Sequence, residues 1–143
     1  MDELSTKLEH RENMEDWVWD TFETTPVMST YLLACILSEL EYLETSYRSI
    51  NGRNITIKLW SDKEKFDQLD LAFHLVPKVM ETLENYLNIP YTLPKLDMVA
   101  VPGYDAARAM ENWGLIVQRS VYIKLFILEM TTNNVYYITI PIM

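Results

Sequence analysis

The sequence predicts an α+β chain: a β-rich first part, then a capped helix interrupted by proline, then short strands. Three observations carry that expectation. Ile55, Ile57 and Leu59 alternate with Thr56 and Lys58, the period-two pattern of a half-buried strand. Ser61-Asp62-Lys63-Glu64 is a capping-box pattern that opens a helix. Behind it Phe66, Leu69, Phe73, Val76, Met80, Leu83 and Leu87 fall at steps of three and four, one helical face.

Taken in order, residues 1–15 are charged and hold few apolar anchors, which predicts a mobile or marginally helical lead-in. Trp17, Trp19 and Thr21 alternate with Val18, Asp20 and Phe22, as in a strand with two useful faces. Thr25-Pro26 marks a turn. Met28 through Leu40 is dense in apolar residues, and periodicity alone leaves strand and buried helix both open, with a lean towards helix. Asn51-Gly52 is a tight-turn signal ahead of the Ile55–Leu59 strand. Pro77 lies inside the helix. It removes one backbone donor and crowds the Phe73 carbonyl, at about 3 kcal/mol in a straight helix, so a kink near 73–77 or two consecutive helices is expected. Pro90 ends the element. Leu96 to Val101 reads as a short strand and Trp113 to Val117 as another, with a loop at Ala109 to Asn112 between them. Thr131-Thr132-Asn133-Asn134 separates two apolar runs and reads as an improvised hairpin.

Composition narrows the function classes. The 143 residues carry a net charge of −9, a poor match to a phosphate backbone, so no nucleic-acid partner is expected. Aromatic content of 12% argues for a folded core rather than disorder. The lone Cys35 sits in an apolar run and reads as a small buried hydrophobe. The start, Met1-Asp2-Glu3-Leu4, lacks the basic-then-apolar pattern of a signal peptide, and no apolar run approaches the roughly 18 residues of a membrane span. As written, the chain is expected in the cytoplasm. Asn54-Ile55-Thr56 is a glycosylation sequon, which matters only for a secreted parent. There is no Gly-x-Ser-x-Gly, and three glycines cannot build a phosphate loop. The carboxylate pairs Glu39 with Glu41 and Glu81 with Glu84 read as exposed polar positions.

Two later segments carry more information. Residues 89–102 read Ile-Pro-Tyr-Thr-Leu-Pro-Lys-Leu-Asp-Met-Val-Ala-Val-Pro, and residues 109–116 read Ala-Met-Glu-Asn-Trp-Gly-Leu-Ile. With Thr25-Pro26-Val27-Met28-Ser29-Thr30-Tyr31-Leu32 ahead of them, in this order, the chain resembles the zinc aminopeptidases of the aminopeptidase N type over residues 16–119. The resemblance settles Met28–Leu40 as strand. It implies that residues 16–60 are the last strands of an amino-terminal β domain, that 61–119 open a thermolysin-like peptidase domain, and that 120–143 are a divergent tail. It also implies that Ala109, Met110, Glu111 and Asn112 bind substrate, with Glu111 taking the free α-ammonium of a peptide. Full-length relatives of this type are often at the plasma membrane or extracellular.

The same resemblance exposes what differs. No His-Glu-x-x-His occurs, and His10 and His74 are the only histidines, so neither a catalytic residue nor a zinc ligand can be assigned, although zinc is the cofactor of the full-length family. Asp67, Asp70 and His74 share a helix face, best read as solvated. Arg108 stands where the family has glycine, the loop from Pro102 is about one residue longer, and Gln118-Arg119-Ser120 replaces Tyr-Arg-Glu. The expectation is a truncated zinc aminopeptidase, inactive alone. The alternative is a non-catalytic module that binds peptide amines or offers exposed sheet edges to another chain.

Overall fold

The computed structural model describes residues 2–4, 6–104 and 109–120. Among these residues the architecture is α+β, with one α-helix and a mixed sheet, as expected. Its centre is a five-stranded sheet. β5 (Glu41–Arg48) and β6 (Asn54–Ser61) form an antiparallel hairpin in register from Glu41 opposite Ser61 to Arg48 opposite Asn54. The chain then crosses through a 3-10 segment, Lys63–Leu69, and helix α1 (Asp70–Leu87). It returns as β7 (Lys95–Val101), parallel to β6. β9 (Leu115–Arg119) lies parallel to β7 on its other side, and β8 (Ala109–Met110) pairs antiparallel to β9 at the outer edge. Two smaller pairs precede this sheet: β1 (Asp2–Leu4) with β4 (Cys35–Leu37), and β2 (Leu8–Met14) with β3 (Trp17–Phe22).

The period-two pattern explains the core. Ile55, Ile57 and Leu59 of β6 point to the helix side and are at most 2% exposed. There they meet Leu96 and Ala100 of β7, Ile116 of β9, and Leu69, Ala72 and Met80 from the crossover. A smaller cluster on the opposite face joins Trp60, Val99 and Leu115 to Ala34, Ile36 and Leu40. Asn51-Gly52 does turn the chain: Gly52 N–H donates to the Ser49 carbonyl at 2.8 Å, and Gly52 adopts φ +85°. In β5 Leu43, Thr45 and Tyr47 alternate with the exposed Glu44, Ser46 and Arg48, the same period-two pattern in a less apolar strand.

Several expectations require correction. The lead-in is not helical, because Leu8–Met14 is an extended strand paired with Trp17–Phe22 and tied by an Arg11–Asp20 ion pair at 2.6 Å. Met28–Leu40 is neither a long strand nor a helix: a 3-10 turn at Thr30–Leu32 is followed by only three strand residues. Cys35 is exposed rather than buried, since Ile36 turns inward and its neighbours on a strand must turn away. The cap shifts by one residue. Asp62, not Ser61, accepts from the Lys65 amide at 2.9 Å, because Ser61 is still engaged in β6. The break in the helix comes at the 3-10-to-α junction before Asp70, and the α-helical residues run on through Pro77. On the stripe, Leu87 is 37% exposed whereas Glu84, expected on the surface, is 4% exposed. The hairpin expected around Thr131–Asn134 lies outside the described residues.

Helix α1 ends where Asn88 enters the left-handed region at φ 54°, two residues before Pro90. Asn88→Gly is expected to keep or raise stability by up to about 1 kcal/mol, and Asn88→Val to lower it, as read from denaturation midpoints.

Candidate functional site

The residues 109–112 are brought to one place by the sheet. Ala109 and Met110 form β8, with Ala109 opposite Gln118 and Met110 opposite Val117. Strand alternation therefore turns Ala109 to the helix side, beside Gln118, and Met110 to the opposite face. β8 is the last strand, so one side of its backbone is not paired within the described sheet. Glu111 follows at once, half-buried, and Asn112 is 5% exposed. Asn112 donates from Nδ2 to the Tyr31 carbonyl at 3.3 Å, which ties the turn after β8 to the 3-10 turn Thr30–Leu32. The chain then reverses: the Leu115 amide donates to the Asn112 carbonyl at 3.2 Å, and Gly114 takes φ +71°, a conformation open to glycine. Trp113 packs against the helix-side core. Arg108 lies outside the described residues.

Next to this turn lies a buried pair of charges, Lys95 and Asp97 of β7. The Asp97 amide donates to the Gly114 carbonyl at 3.0 Å, so β7 holds the turn by its backbone. Two residues earlier on the same strand face, the Lys95 ammonium donates to the Asp97 carboxylate, and the two residues are 8% and 1% exposed. Tyr91 donates its hydroxyl to the Lys95 carbonyl at 3.2 Å; burial, and then the Asp97 charge, push its phenol well above the usual range. The signal was available as Lys-x-Asp at strand spacing within an apolar run.

A second anchor is Glu84. Its carboxylate accepts from the Ser49 hydroxyl at 2.8 Å, the Ile50 amide at 2.9 Å, the Tyr47 hydroxyl at 3.1 Å and the Tyr91 amide. Burial raises its pKa, but the hydrogen bonds from Tyr91, Ile50, Ser49 and Tyr47 together outweigh that and hold it below the ordinary value. Arg53 adds a bond to the Tyr91 carbonyl at 2.6 Å. The hairpin turn, the helix and the approach to β7 thus meet at one carboxylate.

Among the described residues the two histidines stand on separate elements. His10 contacts Glu12 at 3.1 Å on the β2–β3 hairpin, and His74 contacts Asp70 at 3.7 Å on α1. Among the described residues no three His, Cys, Asp or Glu side chains are grouped to hold a metal. Asp67 therefore does not complete a site with Asp70 and His74. A catalytic zinc of this chemistry needs three protein ligands.

Residues 71–137 match the Peptidase family M1 domain. The chain is 40% identical over 105 residues to the thyrotropin-releasing hormone-degrading ectoenzyme of Rattus norvegicus, covering 72% of this chain and 9% of that protein. It is 43% identical over 105 residues to the alanine/arginine aminopeptidase of Saccharomyces cerevisiae, covering 72% of this chain and 11% of that protein. It is 42% identical over 106 residues to aminopeptidase N of Bos taurus, covering 73% and 10% respectively. The chain thus spans about a tenth of the length of the curated relatives it matches. With this match and these identities, and with the Ala109–Met110 strand at the sheet edge leading into Glu111 and Asn112, the chain belongs to peptidase family M1.

Proposed function

We propose that this chain supplies the amine-recognition edge of an aminopeptidase, taking peptides with a free amino terminus, and that it does not hydrolyse them by itself. The observation that carries this reading is the direct passage from edge strand β8 into Glu111, beside an Asn112 locked to the Tyr31 carbonyl. An extended peptide can add to such an edge through backbone hydrogen bonds. A carboxylate just past the strand end then pairs with the leading ammonium, and an acylated nitrogen offers no charge to pair. Hydrolysis would need a metal-ligand set that the described residues do not group and a His-Glu-x-x-His that the 143 residues do not contain. Relatives named alanine/arginine aminopeptidase and aminopeptidase N support the substrate class.

Titration of the chain with paired free-amine and acetylated peptides tests the binding half. Free-amine peptides are expected to bind more tightly, and Glu111→Gln to weaken them about 10- to 100-fold, in line with the ~1.5–3 kcal/mol of a charge-assisted hydrogen bond. Equal affinity for both peptides, unchanged by the substitution, refutes it. For the catalytic half, stoichiometric zinc with chelator-sensitive release of amino acids would overturn the reading.

The sheet also suggests a domain boundary earlier than residue 60. We infer that the unit opening the peptidase domain starts at β5, since β6 is hydrogen-bonded to β5 on one side and to β7 on the other. A shortened chain starting near Glu41 should then retain the cooperative transition of the sheet. The outer edge of β5 is a second place where another chain could pair, the alternative role as an interaction module. Two relatives, an ectoenzyme and an endoplasmic reticulum aminopeptidase, have names that support a working place outside the cytosol for this chain.

A further inference from the structure

The fold places the sequon Asn54-Ile55-Thr56 where its amide can be reached. Asn54 is the first residue of β6, directly after the Ser49–Arg53 turn, and it is exposed. Strand alternation separates the motif cleanly. Ile55 is fully buried on the helix side, while Asn54 and Thr56 project from the opposite face of the sheet. The side chain of Asn54 makes no hydrogen bond among the described residues, unlike Asn51, whose Oδ1 accepts from the Arg53 amide at 3.0 Å. No proline occupies or follows the middle position, and this is the single Asn-x-Ser/Thr in the 143 residues.

We propose that Asn54 is an N-glycosylation site. The donor class is a polyisoprenyl diphosphate-linked oligosaccharide. The Asn54 Nδ2–C1 bond forms as the C1–O bond to the diphosphate breaks; the amide gives up one proton and the lipid diphosphate leaves. The sugar would stand at the hairpin end of β6, clear of the Ile55–Leu59 core. β7 and β9 separate β6 from β8, so the attachment strand and the Glu111 edge lie three strand spacings apart, about 14 Å. The inference rests on the reading that the chain works outside the cytosol, not on amine recognition.

The full chain, placed behind a cleavable secretory leader, is translated with microsomes, and the protease-protected product is analysed by gel. One endoglycosidase-sensitive step in mobility is expected. It should disappear in Asn54→Gln and Thr56→Val, persist in Thr56→Ser, and persist in Asn51→Gln. Protected product with no step, or a step that survives Asn54→Gln, overturns the proposal. Because the readout is attachment during translocation, a folding defect in a variant does not blur it. Peptide-amine binding by the Asn54→Gln chain should equal that of the parent, so failure here and failure of the amine reading are separate results.

Discussion

Glu84→Ala is expected to destabilise the chain by about 3–5 kcal/mol, the scale for removing one partner from a buried charged network. The residue is 4% exposed, and its carboxylate gathers two backbone amides and two hydroxyls from the hairpin turn and from the segment entering β7. Each buried donor left unmade costs about 1–3 kcal/mol, and solvent entering the gap recovers part of the sum. Glu84→Gln should fall between, because an amide still accepts through one oxygen but presents its own donors to donors. Tyr47→Phe, which deletes one bond, should cost about 1 kcal/mol. Chemical denaturation of the set gives the ranking, and equal stability of Glu84→Ala and the parent would remove the anchor from the account.

The same carboxylate predicts a pH dependence with a definite sign. Its folded pKa is lowered from the ordinary 4.5, so the unfolded chain binds the proton more readily. The contribution is complete above about 4.5 and is lost as pH falls through the folded value. Stability measured against pH should therefore fall less steeply on the acid side in Glu84→Gln than in the parent. Parallel curves would show that Glu84 is not the group responsible.

The second large effect is expected at Lys95 and Asp97. Lys95→Met takes the ammonium away from a carboxylate that is 1% exposed, a change on the scale of about 3–5 kcal/mol. Replacing both by apolar residues of similar volume should cost less than the single change, since a buried pair contributes little beyond its own desolvation. A double-mutant cycle reads the coupling, and strictly additive single changes would argue against the pair. Because the Asp97 amide also holds the Gly114 carbonyl, the Lys95 variant should weaken peptide-amine binding as well, through the turn that carries Glu111 and Asn112.

Local pattern was enough for the elements whose faces differ sharply. β6 was legible because Ile55, Ile57 and Leu59 share one environment and Thr56 and Lys58 another, and α1 because its apolar stripe outlasts any strand. Pattern failed wherever the environment was set by distant chain. Glu84 looks like a surface glutamate until Tyr47, Ser49, Ile50 and Tyr91 converge on it. Cys35 looks buried until β4 proves only three residues long, with Ile36 alone turned inward. Leu8–Met14 has too few apolar residues to announce a strand, and its partner Trp17–Phe22 supplies the pairing.

The candidate site divides in the same way. The identity and order of Ala109, Met110, Glu111 and Asn112 were plain from the chain alone, as was the lack of a histidine pair, because both are matters of covalent sequence. That these residues stand at a sheet edge, that Asn112 reaches back to Tyr31, and that a buried Lys95–Asp97 pair underlies the turn were decided only by the fold. Those contacts join positions as far apart as 31 and 112. Hydrogen bonds of that span depend on how strands pair in space, and no local propensity encodes them.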